Sequence, residues 1–149
     1  MNCKQIEHLK MIQDVITRMA SNSFSLKGWA VTLVAAIFAL TWANISRGFL
    51  LIALIPIFAF WALDAYYLNL ERKNRKLYDK VRKMDEEEID FSMNASLPEL
   101  QDQTTCYWSC FWSNTEKKFY LPLLAVVIIP PLVTAFPYIM NALGFVPKA

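Results

Sequence analysis

Glycine and histidine are scarce, with three glycines and one histidine in 149 residues. So few glycines leave no phosphate-cradling loop, and none of the glycine-rich nucleotide motifs is present. His8 and the three cysteines, Cys3, Cys106 and Cys110, do not compose a zinc site. An odd cysteine count excludes a secreted disulfide framework. No nucleophile elbow and no paired-carboxylate site is visible either. The chain therefore reads as non-enzymatic, with no catalytic residue, metal, cofactor or nucleic-acid partner expected. His8 is expected at the surface. Cys106 and Cys110, four apart, read as small buried thiols on one helical face.

Charge is scarce as well. Charged residues make up 19% and hydrophobic ones 56%, against about 25% and about 45–50% in soluble domains. This excludes a disordered chain and argues against an ordinary soluble enzyme. The net charge of +2 says little; the placement of the charges says more. They fall in blocks, and the apolar residues run long between them. An all-α membrane protein follows, with an amphipathic N-terminal helix, a two-span hairpin, a cytoplasmic helical segment and a proline-broken third transmembrane span.

Residues 1–27 form the amphipathic helix. Ile6, Leu9, Ile12, Ile16 and Met19 recur at steps of three and four, as one apolar stripe requires. The charged leader is too long for a secretory signal. The stripe is expected to pack on another cytoplasmic helix rather than lie among headgroups.

Residues 28–70 form the hairpin. Between Lys27 and Arg47 no charge interrupts GWAVTLVAAIFALTWANIS, enough to cross about 30 Å of hydrocarbon. Trp29 and Trp42 lie near its ends, where aromatic rings favour the interface. Gly28, Thr32, Ala36, Ala39 and Ala43 recur at helical spacing as a candidate helix-packing face. After a turn at residues 46–48 the second run, GFLLIALIPIFAFWALDAYYLNL, returns. Pro56 is expected to kink it mid-span, and Trp61, Tyr66 and Tyr67 to sit at the interface.

Residues 71–118 are polar. ERKNRKLYDKVRK continues the helix as a basic stretch, and the acidic run Asp85–Asp90 follows. Arg72, Lys73, Arg75, Lys76, Lys80, Arg82 and Lys83 are candidate contacts for anionic lipid, at about 1 kcal/mol per charge, or for an anionic ligand. A linker punctuated by Pro98 leads to TCYWSCFWSNTEKKFY. Trp108, Phe111 and Trp112 there are candidate interfacial anchors. Asn94-Ala95-Ser96 is formally a glycosylation sequon, discounted because the topology places it in the cytoplasm. Residues 119–149 form the third span and a short tail. Pro130 and Pro131 interrupt this span, and a kinked crossing is favoured over a re-entrant loop.

Thirteen of the fifteen Lys and Arg residues lie in the N-terminal and middle segments. By the positive-inside rule the N-terminus and the middle segment are cytoplasmic, in a multi-pass membrane protein. Asp64 is the one acid within an apparent span, and acids there are functional candidates by default. Together with Pro130 and Pro131 it is a candidate ion-pathway or gating element. Alternatively it pairs with Arg72, or with Lys27 across the hairpin.

The order of N-terminal helix, tight hairpin (Gly28–Ile45, Gly48–Leu70) and charged helix ERKNRKLYDKVRK is similar to the SLATT group of small bacterial membrane effectors. The resemblance covers residues 1–83. It implies an oligomeric protein that perforates membranes when a nucleotide-signalling defence system fires. SFSLKGWAVTLVAA and LDAYYLNLERKNRKLYDKV also look like small uncharacterised bacterial inner-membrane proteins. The leading expectation is a homo-oligomeric pore-forming or membrane-disrupting effector of a defence or toxin system. The alternative is a non-catalytic anchor or accessory subunit recruiting a soluble partner through residues 71–118. A small transporter is disfavoured, since no internal repeat is visible.

Overall fold

The computed structural model describes residues 3–42, 47–85 and 89–142, with side chains given for these except 42, 47–49, 134 and 137–142. Every regular element among the described residues is helical. The main elements are α1 (Cys3–Trp42), α2 (Leu54–Lys83), the short α3 (Tyr107–Phe111) and α4 (Asn114–Ala142). A 3-10 turn, Arg47–Ala53, leads into α2, and two more, Pro98–Leu100 and Gln103–Thr105, shape the linker before α3.

The expected amphipathic helix and first apolar run are one element. α1 is 40 residues long, about 60 Å at 1.5 Å per residue. Nothing in its sequence stops it: its one glycine before Trp42 is Gly28, and it has no proline. In the same way the second apolar run and the basic stretch are one helix, α2. Lys80, Arg82 and Lys83 in its last turn suit the negative end of the helix dipole.

Pro56 does not kink α2. The helix begins at Leu54, so Pro56 sits in the first turn, where its missing N–H has no helical partner to lose. α4 is not broken either. It runs without interruption through Pro122, Pro130, Pro131 and Pro137. Each proline removes one ladder bond, yet its fixed φ is already helical, so a long helix continues through them.

α1 and α2 pack antiparallel along their whole length, with a separate core at each end. At the apolar end Ala30 and Val34 of α1 meet Ala53, Ile57 and Trp61 beneath Tyr120 and Val127 of α4. At the charged end Leu9, Ile12 and Ile16 meet Leu77 and Val81 of α2 and Leu100 of the linker. The N-terminal stripe thus packs on a helix, although Ile6 lies outside it, exposed. The polar residues Gln5 and His8 are buried beside it, and Gln5 Nε2 donates to the Val81 carbonyl at 3.5 Å.

Two helices are long and apolar enough to cross a membrane, within Cys3–Thr41 and Leu50–Lys83. Their most apolar stretches are mostly uncovered: 11% is buried in the first and 33% in the second. The third apolar stretch lies on α4, charge-free from Phe119 onward.

Candidate functional site

The two cores are separated by a layer of ionisable side chains. Lys27 comes from α1, Asp64 from α2, and Glu116 and Tyr120 from α4. Helical spacing explains the set. Ser23 and Lys27 are one turn apart on α1, Glu116 and Tyr120 one turn apart on α4, so each pair shares a face.

The Lys27 ammonium bridges the two carboxylates. It pairs with Asp64 Oδ2 and lies 3.2 Å from Glu116 Oε1. It also donates to Ser23 Oγ at 3.1 Å. Ser23 in turn donates its hydroxyl to Asp64 Oδ1. Tyr120 donates to Asp64 Oδ2 at 3.2 Å. Asp64 is fully buried and accepts three bonds. Glu116 is 1% exposed, and its Oε2 has no hydrogen-bond partner among the described residues. Lys27 Nζ stands 5.8 Å from the Phe119 ring centre, within cation–π range.

Charge counting gives two carboxylates against one ammonium. Burying such an imbalance is expensive. Burial, and then the neighbouring Asp64 carboxylate, push the Glu116 carboxyl up to about 7, against the smaller opposing pull of Lys27.

An aromatic stack roofs the layer on its apolar side. Trp61, 2% exposed, lies flat on Phe111 at 4.6 Å and on Tyr120 at 5.4 Å. Its indole N–H donates to the Phe111 carbonyl at 3.0 Å. Trp61 is therefore a core residue, not an interfacial one. The same contact corrects Phe111, which points inward against Trp61, while Trp108 and Trp112 are exposed as interfacial anchors would be. Sequence periodicity misses this because α3 is only five residues long and its inward face is set by what it rests on.

Asp64 thus pairs with Lys27, as one alternative had it, and not with Arg72, which donates to the Thr104 carbonyl at 2.9 Å. Pro130 is fourteen positions beyond Glu116 on α4, roughly 20 Å along the helix, so Asp64 and the Pro130-Pro131 pair do not form one site. The small residues on α1 face away from α2 and α4. Gly28, Thr32, Ala36 and Ala39 are exposed, and the packed residues are Ala30 and Val34, flanked by Ile37 and Phe38. A Cβ added at Gly28 meets nothing within 4 Å. Ala43 lies outside the described residues.

Most of the basic stretch is committed within the chain. Lys76 pairs with Asp102, Lys80 with Glu99, Arg75 with Glu71 and Arg82 with Asp79. Lys73 is half-buried and Lys83 exposed. The linker, not the acidic run after Met84, supplies Glu99 and Asp102; residues 86–88 of that run lie outside the described residues. The Lys76 ammonium and the Thr104 hydroxyl and amide bonds hold the Asp102 carboxyl well below the usual carboxylate range.

His8 is buried, against expectation. Its ring meets Phe91 edge-on at 5.5 Å, and Nε2 has no partner among the described residues. The linker folds back over this face of α1, with Phe91 in left-handed backbone at φ 54°, which no local pattern announces. Of the cysteines, Cys110 is buried and Cys106 exposed. Cys106 caps α3 instead of lying within it. Burial pushes the Cys110 thiol up.

Glu116, Ser23 and Tyr120 were not singled out by sequence. An available signal was an acid one turn before the tyrosine that opens a charge-free run. The aromatic-rich segment around it, TCYWSCFWSNTEKKFY, reads as an interfacial helix, which hides the signal.

No family model matches the chain, and no curated protein and no solved structure shows significant similarity to it. The structure defines an all-helical protein with two helices of membrane-spanning length and hydropathy, tied to a third by a buried ion cluster.

Proposed function

We propose that this chain is a non-catalytic, multi-pass protein of a bacterial inner membrane that anchors a cytoplasmic docking module. Its N-terminus and residues 71–118 face the cytoplasm, and α4 forms a third crossing from Phe119 onward. One observation carries this choice over a pore. Asp64 is the one acid in the apolar stretches, and it is fully buried inside the protomer on Ser23, Lys27 and Tyr120. It is not available to line a path between copies. The exposed hydroxyls nearby are spent on their own helix, Thr32 on Gly28 and Ser25 on Ser21. What faces outward is apolar: Trp29, Leu33, Leu40, Ile55, Phe58, Val126 and Ile129. Such a surface suits lipid.

A second observation keeps the pore-forming effector in play. The outward Gly28, Thr32, Ala36 and Ala39 face is smooth enough for a neighbouring copy to approach closely, which favours a homo-oligomer. Native mass spectrometry of protein extracted gently from its own membranes, followed by ion flux in liposomes, separates the two. The anchor predicts one or two copies carrying a second protein, and no flux above protein-free liposomes. A closed ring of four or more copies that conducts ions would replace the anchor with the pore.

A further inference from the structure

The ion cluster is incomplete as a set of charges. Two buried carboxylates face one ammonium, and the oxygen left over, Glu116 Oε2, is enclosed without a donor. A group so placed does not remain charged and unpaired in a dry interior. Either a small cation or a proton must complete it. The position a cation would take, between Asp64 and Glu116, is already filled by the Lys27 ammonium. A proton needs no such room.

We propose that Glu116 Oε2 is a proton-binding site that latches α4 to the α1–α2 hairpin. With the proton on, the carboxylic acid of Glu116 keeps Oε1 as an acceptor for Lys27, the Lys27–Asp64 pair is balanced, and the three helices are joined by a neutral cluster. With the proton off, the layer carries one uncompensated negative charge, and the base of α4 is the part that relieves it. Glu116 is in the first turn of α4, following Asn114, so a small displacement there brings water to the carboxylate without unpacking Val127. No bond other than O–H is made or broken, and the proton is exchanged with water. The groups facing Glu116 are Lys27 on α1, Asp64 on α2 and Tyr120 one turn along α4. The groups around the proton thus come from all three long helices.

The sign follows from linkage. A carboxyl that holds its proton more tightly folded than unfolded contributes stability at low pH and loses it as pH rises through the folded value. Folded stability should therefore fall as pH rises through neutrality.

The test uses the full chain in nanodiscs at constant ionic strength. Thermal unfolding is followed at pH 5.5 and 8.5, together with the carboxylic C=O stretch in infrared difference spectra. The wild type should unfold at a lower temperature at pH 8.5, with a protonated-carboxyl band that fades across neutrality. Glu116→Gln keeps a neutral side chain and should remove both the band and the loss of stability. An equal pH slope in wild type and Glu116→Gln, or no such band at pH 5.5, would overturn the proton site. So would stabilisation of the wild type at pH 8.5 by sodium over potassium that is absent in Glu116→Gln, which would assign the position to a cation instead. If Glu116→Gln does not fold, the band is read in Tyr120→Phe, which removes a donor from Asp64 and none from Glu116. A band that keeps its frequency belongs to Glu116, and one that shifts belongs to Asp64 and overturns the assignment.

Discussion

Lys27 and Trp61 show how unequal the residues of one small cluster are. Lys27 bridges two buried carboxylates. Lys27→Met removes the only cation of the cluster and should destabilise the fold by about 3–5 kcal/mol, the cost of stranding buried charge. Asp64→Asn leaves a balanced Lys27–Glu116 pair and should cost less. The double variant should recover part of the Lys27→Met loss. Chemical denaturation in micelles checks the order; an Asp64→Asn loss larger than that of Lys27→Met would contradict it. Trp61 contributes by contact, flat against Phe111 and Tyr120. Trp61→Ala should cost about 3–5 kcal/mol, and Trp61→Phe less, with the Phe111 carbonyl losing its donor. Equal losses in the two variants would show that ring area is not what holds α3 in place.

At the scale of elements, the prolines and the small face behave according to where a helix begins and what it rests on. Pro56 lies in the first turn of α2. Pro56→Ala should therefore shift stability by less than about 1 kcal/mol, whereas a mid-helix kink would make the change larger. The α1 face with Gly28, Thr32, Ala36 and Ala39 is exposed among the described residues. Gly28→Leu should stabilise the protomer by up to about 1 kcal/mol, the gain in helix propensity at an exposed position. Where copies meet on this face, the same variant should reduce the oligomer in native mass spectrometry. An unchanged copy number would move the contact elsewhere. The linker is an element of a different kind. Its order comes from Asp102 on Lys76, Glu99 on Lys80 and Leu100 in the charged-end core, together with local turns such as the Asp102 cap on Thr104 and Thr105.

Taken whole, the molecule is two apolar cores stacked end to end, with the ion layer between them. The layer lies where α1 and α2 pass from charged to charge-free sequence, so its proton would report on the boundary between the two ends. Much of this was legible in the sequence. Long charge-free runs specify apolar helices, and steps of three and four at Leu9, Ile12 and Ile16 specify a buried stripe, because both depend only on residues near one another in the chain. The pairing of Asp64 with Lys27 was legible as one of two alternatives, since a hairpin brings either partner within reach. The helix through Pro130 and Pro131, the inward turn of Phe111, the burial of His8 and the recruitment of Glu116 were decided only in the folded chain. Each depends on an element far away in sequence: α4 arriving beside Lys27, α3 resting on Trp61, the linker folding back over α1. Local periodicity sets which residues share a face; which faces meet, and so which charges must share a proton, is fixed by tertiary packing, because burial and pairing are properties of two surfaces at once.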